Sequence, residues 1–458
     1  MNPSIPIAMF GWIPLILGLF SKLRAHRAVI AGFLLAWMFL PQFSFPLPGL
    51  PDYSKVSAAS LGILLATAIF NAKAFRTFQF QSVDVPMLAW CVLPIFTSIS
   101  NGLGLYEGIS FALDKIFLWG IPWYIGRIYF NAPDHLRDLA LGMFIGGLVY
   151  MPFCLFEVAM SPRLHRMLYG FHAHSFGQAR RGGGWRPVVF MEHGLMVAMW
   201  MTTACLCGLT LLAGGGLRRM PAAFRNLLWP LWGALLVTTF LCKSTGAIFL
   251  LLLGTAVFFG ARMIKTRLPF FLLLSLPLLY MALRGTGTWT AQNLIDAAGG
   301  ASSAERAGSL EYRINNENIL VEKALERPWL GWGRYRRSYV RDENGEVVSV
   351  PDGLWVLSLG RDGVLGLTAM TATLMLPCLL FLRRFPPKEW RRAEVGAMVG
   401  LPLVMGLFMI DNLFNNMFNP AMLLAGGGMA GLSASVAATA ETEGRIETGM
   451  EPPRTRAL

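Results

Sequence analysis

Hydrophobic runs, broken by short polar links, fill most of the chain. About 18 apolar residues are needed to cross a bilayer as a helix. With some tolerance for short or interrupted runs, the pattern predicts about thirteen transmembrane helices: 4–21, 28–43, 56–72, 85–100, 108–129, 138–160, 187–212, 226–242, 244–260, 267–284, 355–382, 395–416 and 419–438. The links alternate in charge. SKLRAHR (21–27), NAKAFRTF (71–78), 127–137, LRRMPAAFR (217–225), ARMIKTR (261–267) and LRRFPPKEWRR (382–392) are basic, whereas SFPLPGLPDY (44–53), NGLGLYEG (101–108) and FNNMFNP (414–420) hold almost no Lys or Arg. The positive-inside rule then predicts an N-terminus outside and a C-terminus in the cytoplasm. The first run lacks a basic leader and a small-residue cleavage site and reads as a retained helix. The tail 439–458 is polar and reads as disordered.

One polar interruption is long. Residues 284–353 divide the chain into ten helices before them (1–283, with a basic exterior loop 161–186) and three after (354–438). Inside this insertion Ser302 or Ser303 can cap a helix that includes Glu305, and Leu310, Ile314, Val321 and Leu325 form an apolar stripe at helical spacing. Arg313 and Glu317 lie one turn apart on a neighbouring face, and Pro328 ends the helix at or before Arg327. WLGWG then makes a turn, Asn344-Gly345 predicts a two-residue hairpin, and SLGRDG (358–363) reads as the turn through which the chain re-enters the membrane. An insertion with this much local structure is not a passive linker.

Composition narrows the class. The chain is 55% hydrophobic and only 14% charged, with mean hydropathy +0.52, where soluble domains carry about 25% charged residues. It is therefore expected to be an all-α integral membrane protein. Its net charge of +13 would point to nucleic acid in a soluble protein. Here the short inner loops account for much of it, so no nucleic-acid partner is expected. The six cysteines lie in or beside apolar segments without metal-ligand spacing, and read as small buried hydrophobes. Two segments on the expected outer side break the charge rule. Residues 161–187 hold five arginines, Arg180, Arg181 and Arg186 among them, and no acid; the large loop holds the cluster Arg334, Arg336, Arg337 and Arg341. Guanidinium forks on a translocated face suit an anion at the membrane surface, such as a lipid-linked phosphate.

Ionisable residues within the apolar segments are few: Asp114, Lys115, Glu157, Glu192, His193, Lys243 and Asp411. Such groups face a cavity or a partner. Most fall toward the outer ends of their helices, and Asp411, Asn415 and Asn419 read as a polar stripe climbing to the same surface. Together they predict a polar pocket beneath the large loop.

These residues resemble a family, the bacterial O-antigen ligase and O-antigen polymerase membrane proteins, over roughly 84–420. SLEYRINNENILVEKALERPWLGWG is similar to that family's loop pattern of an arginine, a helix, then Pro and Gly-x-Gly. PDGLWVLSLGRDGVLGL resembles its re-entry motif, GGWRPVVFMEHGLMVA its arginine-bearing approach to the central helix, and 244–247 its serine-rich turn. The resemblance implies a C-type glycosyltransferase fold in the bacterial inner membrane. It also implies a metal-independent, cofactor-free enzyme that moves a glycan from undecaprenyl diphosphate to a glycan or lipid acceptor at the periplasmic face. Carried over, Arg186 and Arg313 bind the diphosphate and stabilise its developing charge. Where the ligases place a histidine, this chain has Asp352, which can take the acceptor's proton. That difference favours a polymerase while leaving ligase open, and makes His193 and Glu192 alternative bases. Arg180, Arg181, Arg334, Arg336 and Asp411 are further substrate-binding candidates, and Trp329, Trp332 and Tyr335 are candidates to stack on sugars. A secondary transporter or flippase predicts inverted repeats and broken helices near the midplane instead; a scaffold predicts that Arg186 and Arg313 are dispensable.

Overall fold

The structure, a computed structural model, describes residues 2–432 apart from 218–220, 288, 294 and 297–303. The cap expected at Ser302 or Ser303 and the tail 439–458 fall outside the described residues. Within them the chain is mostly helical: α1 (Ser4–Lys22), α2 (Ala25–Phe39), α3 (Lys55–Phe70), α4 (Val85–Ser100), α5 (Gly104–Lys115), α6 (Ile121–Tyr129), α7 (Pro133–Met160), α8 (Leu164–Tyr169), α9 (Gly194–Ala213), α10 (Ala222–Leu241), α11 (Thr245–Met263), α12 (Leu268–Gly285), α13 (Ala304–Leu325), α14 (Leu354–Arg384), α15 (Ala393–Met398), α16 (Gly400–Phe414) and α17 (Pro420–Leu432). Eight helical segments are long and apolar enough to cross a membrane, and α2, α3 and α17 are shorter apolar helices. The two other expected spans are α10 and a composite of α5 and α6 joined by one π turn. Together they describe a multi-pass helical membrane protein.

The bundle is built around α9, apolar on every side and buried on nearly every side, as such helices are when they lie in a core. Helices α7, α10, α11 and α16 surround it. Small residues bring α6 against α17: a Cβ on Gly126 would meet the backbone of Leu424 and Gly427. At the end carrying the short basic links, ion pairs to buried carboxylates tie helices together. Arg127 Nε donates to Asp84 at 2.8 Å, and His26 and Arg27 both reach Asp138.

The large loop is fastened at the opposite end. Its helix α13 packs on α14 through Ile314, Glu317, Leu320, Val321 and Ala324. Two expectations change here. Leu325 points outward, 40% exposed, and Glu317 belongs to the buried face and not to a neighbouring one. A carboxylate can lie there because three donors meet it: Arg284 Nε at 2.6 Å, the Tyr280 hydroxyl at 2.8 Å and Trp355 Nε1 at 3.1 Å. Helix α13 ends at Leu325, short of Pro328.

The hairpin is present with a three-residue loop and not two. Arg341 bridges Val347, the Asp342 carbonyl accepts from Gly345 N, and Gly345 takes φ +83°, which glycine adopts at no steric cost. The Asp342 carboxylate accepts from the amides of Asn344 and Glu346, which accounts for the longer turn.

SLGRDG is also not a loop ahead of a helix. It lies inside α14, which breaks at Gly363 with φ +67°. The WLGWG segment fills the break. Trp332 N donates to the Gly360 carbonyl at 2.9 Å, Gly333 N to Arg361 at 2.9 Å, and Val364 N to Pro328 at 2.7 Å. The backbone groups freed by the kink thus find partners in the loop, as a low-dielectric environment requires. The same segment is pinned to α4 by Thr97 and Asn101, and to α5 by the ion pairs Arg334–Asp114 and Arg337–Glu107.

Candidate functional site

Two segments distant in sequence meet at the loop-bearing end. The first is the extended stretch between α8 and α9. It carries a small hairpin, β1 (Arg180–Arg181) and β2 (Gly184–Trp185), with Arg180 opposite Trp185 and Arg181 opposite Gly184. The expected span 187–212 therefore starts as helix only at Gly194. Arg186 follows the hairpin, and its amide donates to the Ala179 carbonyl at 2.8 Å. Its side chain lies against Gly194, where an added Cβ would come within 2.5 Å of Arg186 Cδ. The guanidinium donates to the carbonyl of Lys243 at 3.0 Å, while its Nε finds no acceptor among the described residues.

Lys243 occupies the α10–α11 junction with φ +50°. Its ammonium reaches back to the carbonyls of Arg181 and Gly182 at 3.4 and 3.3 Å, bracing the hairpin. Ser244, from the serine-rich turn, caps α11.

The second segment is α13 with the end of the loop. Arg313 donates to the Phe414 carbonyl and to Asn415 Oδ1, both at 3.2 Å, and its Nε stands 3.7 Å from Asp352 Oδ2. Asn415 in turn donates to Asp411 at 2.8 Å. Asp411 is buried, and its second oxygen has no hydrogen-bond partner among the described residues. The expected stripe stops there: α16 ends at Phe414, and Asn419 instead accepts from Ala421 N at the start of α17. Beneath Arg313 and Asp352 a cavity of about 10 Å³ is bounded by Glu317, Leu320, Gly353 and Leu413, about the room one water needs.

The charge of Arg313 is felt at Arg186 and at His193, so the two segments are near one another. Burial pushes Arg186 down to about 10, and the charges of Arg181 and Arg313 add to that shift. Arg186 nevertheless stays cationic at neutral pH. His193 is pushed down to about 3 by burial, then by His174, Arg186, Arg313 and Arg181. Its Nδ1 accepts from Leu195 N at 2.9 Å as the N-cap of α9, and its ring lies 4.3 Å from that of His174. A neutral imidazole with Nδ1 so occupied is a poor base, and its free edge is an Nε2–H donor. Burial raises the carboxyl of Asp352, against the opposing pull of Arg313. A group shifted that way binds protons more strongly than an exposed aspartate.

Arg181, Arg186, Lys243, Arg313, His193, Asp352 and Asp411 thus belong to one neighbourhood, in which, among the described residues, Arg186, Lys243 and Arg313 alone outnumber the carboxylates Asp352 and Asp411. Other candidates lie elsewhere. Glu192 is exposed, and the charge it acts on is that of Lys55. Arg180 is exposed on the strand face opposite Arg181, since neighbouring strand residues alternate. Arg334 is paired with Asp114, and Arg336 is exposed above the Tyr339 ring. Trp332 donates to the Lys323 carbonyl at 2.8 Å and lies under Lys323 and Arg327, so it is part of the loop's own packing. Trp329 and Tyr335 are exposed. His174 is a site residue that sequence reasoning left out, while Lys243 and Asn415, expected only as part of a polar pocket, take specific places in it as the brace of the hairpin and a partner of Arg313. No family model matches the chain, and no curated protein matches it.

Proposed function

We propose that the chain is a glycosyltransferase of the bacterial inner membrane. In this reading it moves a glycan from undecaprenyl diphosphate to an acceptor hydroxyl at the periplasmic face, as an O-antigen polymerase or ligase does. The observation that carries the reading is that Arg186 and Arg313, from separate segments, lie near enough for the charge of one to act on the other, with Asp352 beside Arg313. A diphosphate carries the negative charge such an excess of guanidinium attracts, and Arg offers paired donors to phosphate oxygens.

The chemistry follows from these positions. The acceptor hydroxyl attacks the anomeric carbon while the bond from that carbon to the phosphate oxygen breaks, inverting the centre. The proton passes to Asp352. The electron pair leaves with the diphosphate, where Arg186 and Arg313 stabilise it and the Nε2–H of His193 adds a neutral donor. The reading needs no metal to neutralise the leaving group, and activity in excess chelator is the outcome it expects.

A broken helix is also a hallmark of secondary transporters, and α14 is broken. Its freed backbone groups, however, are taken up by Pro328, Trp332 and Gly333, leaving none of those groups to a transported ion.

Replacing Arg313 and Asp352 separately by alanine, then resolving surface glycan beside lipid-linked precursors, tests the proposal. Loss of long chains with single repeats still transferred identifies a polymerase. Accumulated full-length lipid-linked chains identify a ligase. Unchanged glycan in both variants, at normal membrane levels, rules the site out.

A further inference from the structure

The short helix α8 and the chain after it form a second cationic place, apart from the Arg186–Arg313 cluster. Arg163 and Arg166 are exposed, and neither has a carboxylate within ion-pair distance among the described residues. Residues 161–187 supply no acid. The nearest one along the chain, Glu157, is committed to backbone amides, accepting from Leu164 at 2.8 Å, Val188 at 2.8 Å and Val189 at 2.7 Å. Between the arginines, Met167, His172 and Phe176 line an open cavity of about 710 Å³.

Its level in the bilayer follows from what α8 rests on. The Ser4 hydroxyl, at the first turn of membrane-crossing α1, donates to the Leu168 carbonyl at 2.7 Å, and the Tyr169 hydroxyl donates to Phe39 at the end of α2. Helix α8 therefore lies where the apolar helices end. Met160, Met167 and Leu168 are 57%, 69% and 49% exposed there, beside the arginines. Exposed apolar side chains next to unpaired cations at that depth are the signature of a surface that takes a charged headgroup and its acyl region together.

We propose that Arg163, Arg166 and His172 bind the phosphate headgroup of an anionic membrane lipid, with Met167 set against its acyl chains. The site shares no lining residue with the diphosphate cluster, so it stands whatever the fate of the glycosyltransferase reading.

The test uses the full chain reconstituted in phosphatidylcholine nanodiscs containing a minority of phosphatidylglycerol, with retained lipids counted by native mass spectrometry. Each arginine near a charged headgroup contributes about 1 kcal/mol, so the R163Q/R166Q double variant is expected to hold phosphatidylglycerol about thirtyfold less tightly. R163K/R166K, which keeps the charge, is expected to retain most of the binding, and M167S to weaken it without abolishing it. Equal retention by wild type and R163Q/R166Q, with the same unfolding midpoint, overturns the proposal. Displacement of the lipid by millimolar inorganic phosphate, with M167S binding like wild type, overturns it too, because the site would then hold a free anion.

Discussion

Two charged centres lie on the large loop, a turn apart on the same helix, and they are built in opposite ways. Glu317 is enclosed by Arg284, Tyr280 and Trp355, all three donating to its carboxylate, with almost no solvent. Arg313 is part-exposed, meets Asp352 only at 3.7 Å, and shares its surroundings with Arg186 and Arg181. The first has its carboxylate balanced by a guanidinium and holds the loop down; the second, among the described residues, has more cations than carboxylates. A protein tolerates surplus cation at such a place when an anionic ligand completes it, and that difference separates glue from site among residues of identical type.

The comparison is broken most severely at the site. Asp352→Asn is expected to lower kcat about 10²–10⁴-fold, the usual span for a lost general base, with membrane levels unchanged. Arg313→Gln is expected to cost about 10²–10³-fold, as for a lost oxyanion donor, with Arg186→Gln alike; in-vitro transfer from a purified lipid-linked donor measures both. At the balanced centre the loss is one of stability. Glu317→Ala strands Arg284 in a buried place, which costs about 3–5 kcal/mol, visible as a lowered unfolding midpoint and easier proteolysis of the loop.

The pH profile sharpens the contrast further. Asp352 must be ionised to act, and burial raises its pKa above the usual 3.8. Activity therefore falls on acidification through a value above that figure, and Arg313→Gln, by removing the opposing charge, moves the limb higher still. His193, already near 3, adds no limb between pH 6 and 7. The smallest effect is expected at Arg336→Gln. That exposed side chain pairs with no carboxylate among the described residues, and its loss should change stability and turnover by less than about 0.5 kcal/mol.

Much of the architecture was legible in the sequence because lipid imposes one pattern on everything that crosses it. All thirteen hydrophobic segments contain helix, and the polar insertion carries the expected helix and a hairpin at Asn344-Gly345. What escaped is tertiary. Periodicity put Leu325 on the inner stripe, yet partners on α12 and α14 reward burying Glu317 instead. A glycine turn and a broken helix look alike in SLGRDG until the WLGWG backbone is seen to fill the gap. At the site, arginine positions were readable, but the hydrogen bond that occupies His193 Nδ1 and the brace from Lys243 depend on segments meeting in space. The tryptophans and arginines of the loop looked equally available in sequence. Trp332 proves to be spent on the loop's own packing, and Arg334 and Arg337 on holding the loop to α5.

The most direct test of the central claim is a double-mutant cycle on affinity for undecaprenyl diphosphate, using Arg186→Gln, Arg313→Gln and their combination in the purified protein. If both guanidiniums grip one diphosphate, each single variant weakens binding and the two effects are non-additive, coupled by about 0.5–3 kcal/mol. Strictly additive losses, or affinity unchanged in either single variant, would contradict a shared ligand and with it the function proposed for this site.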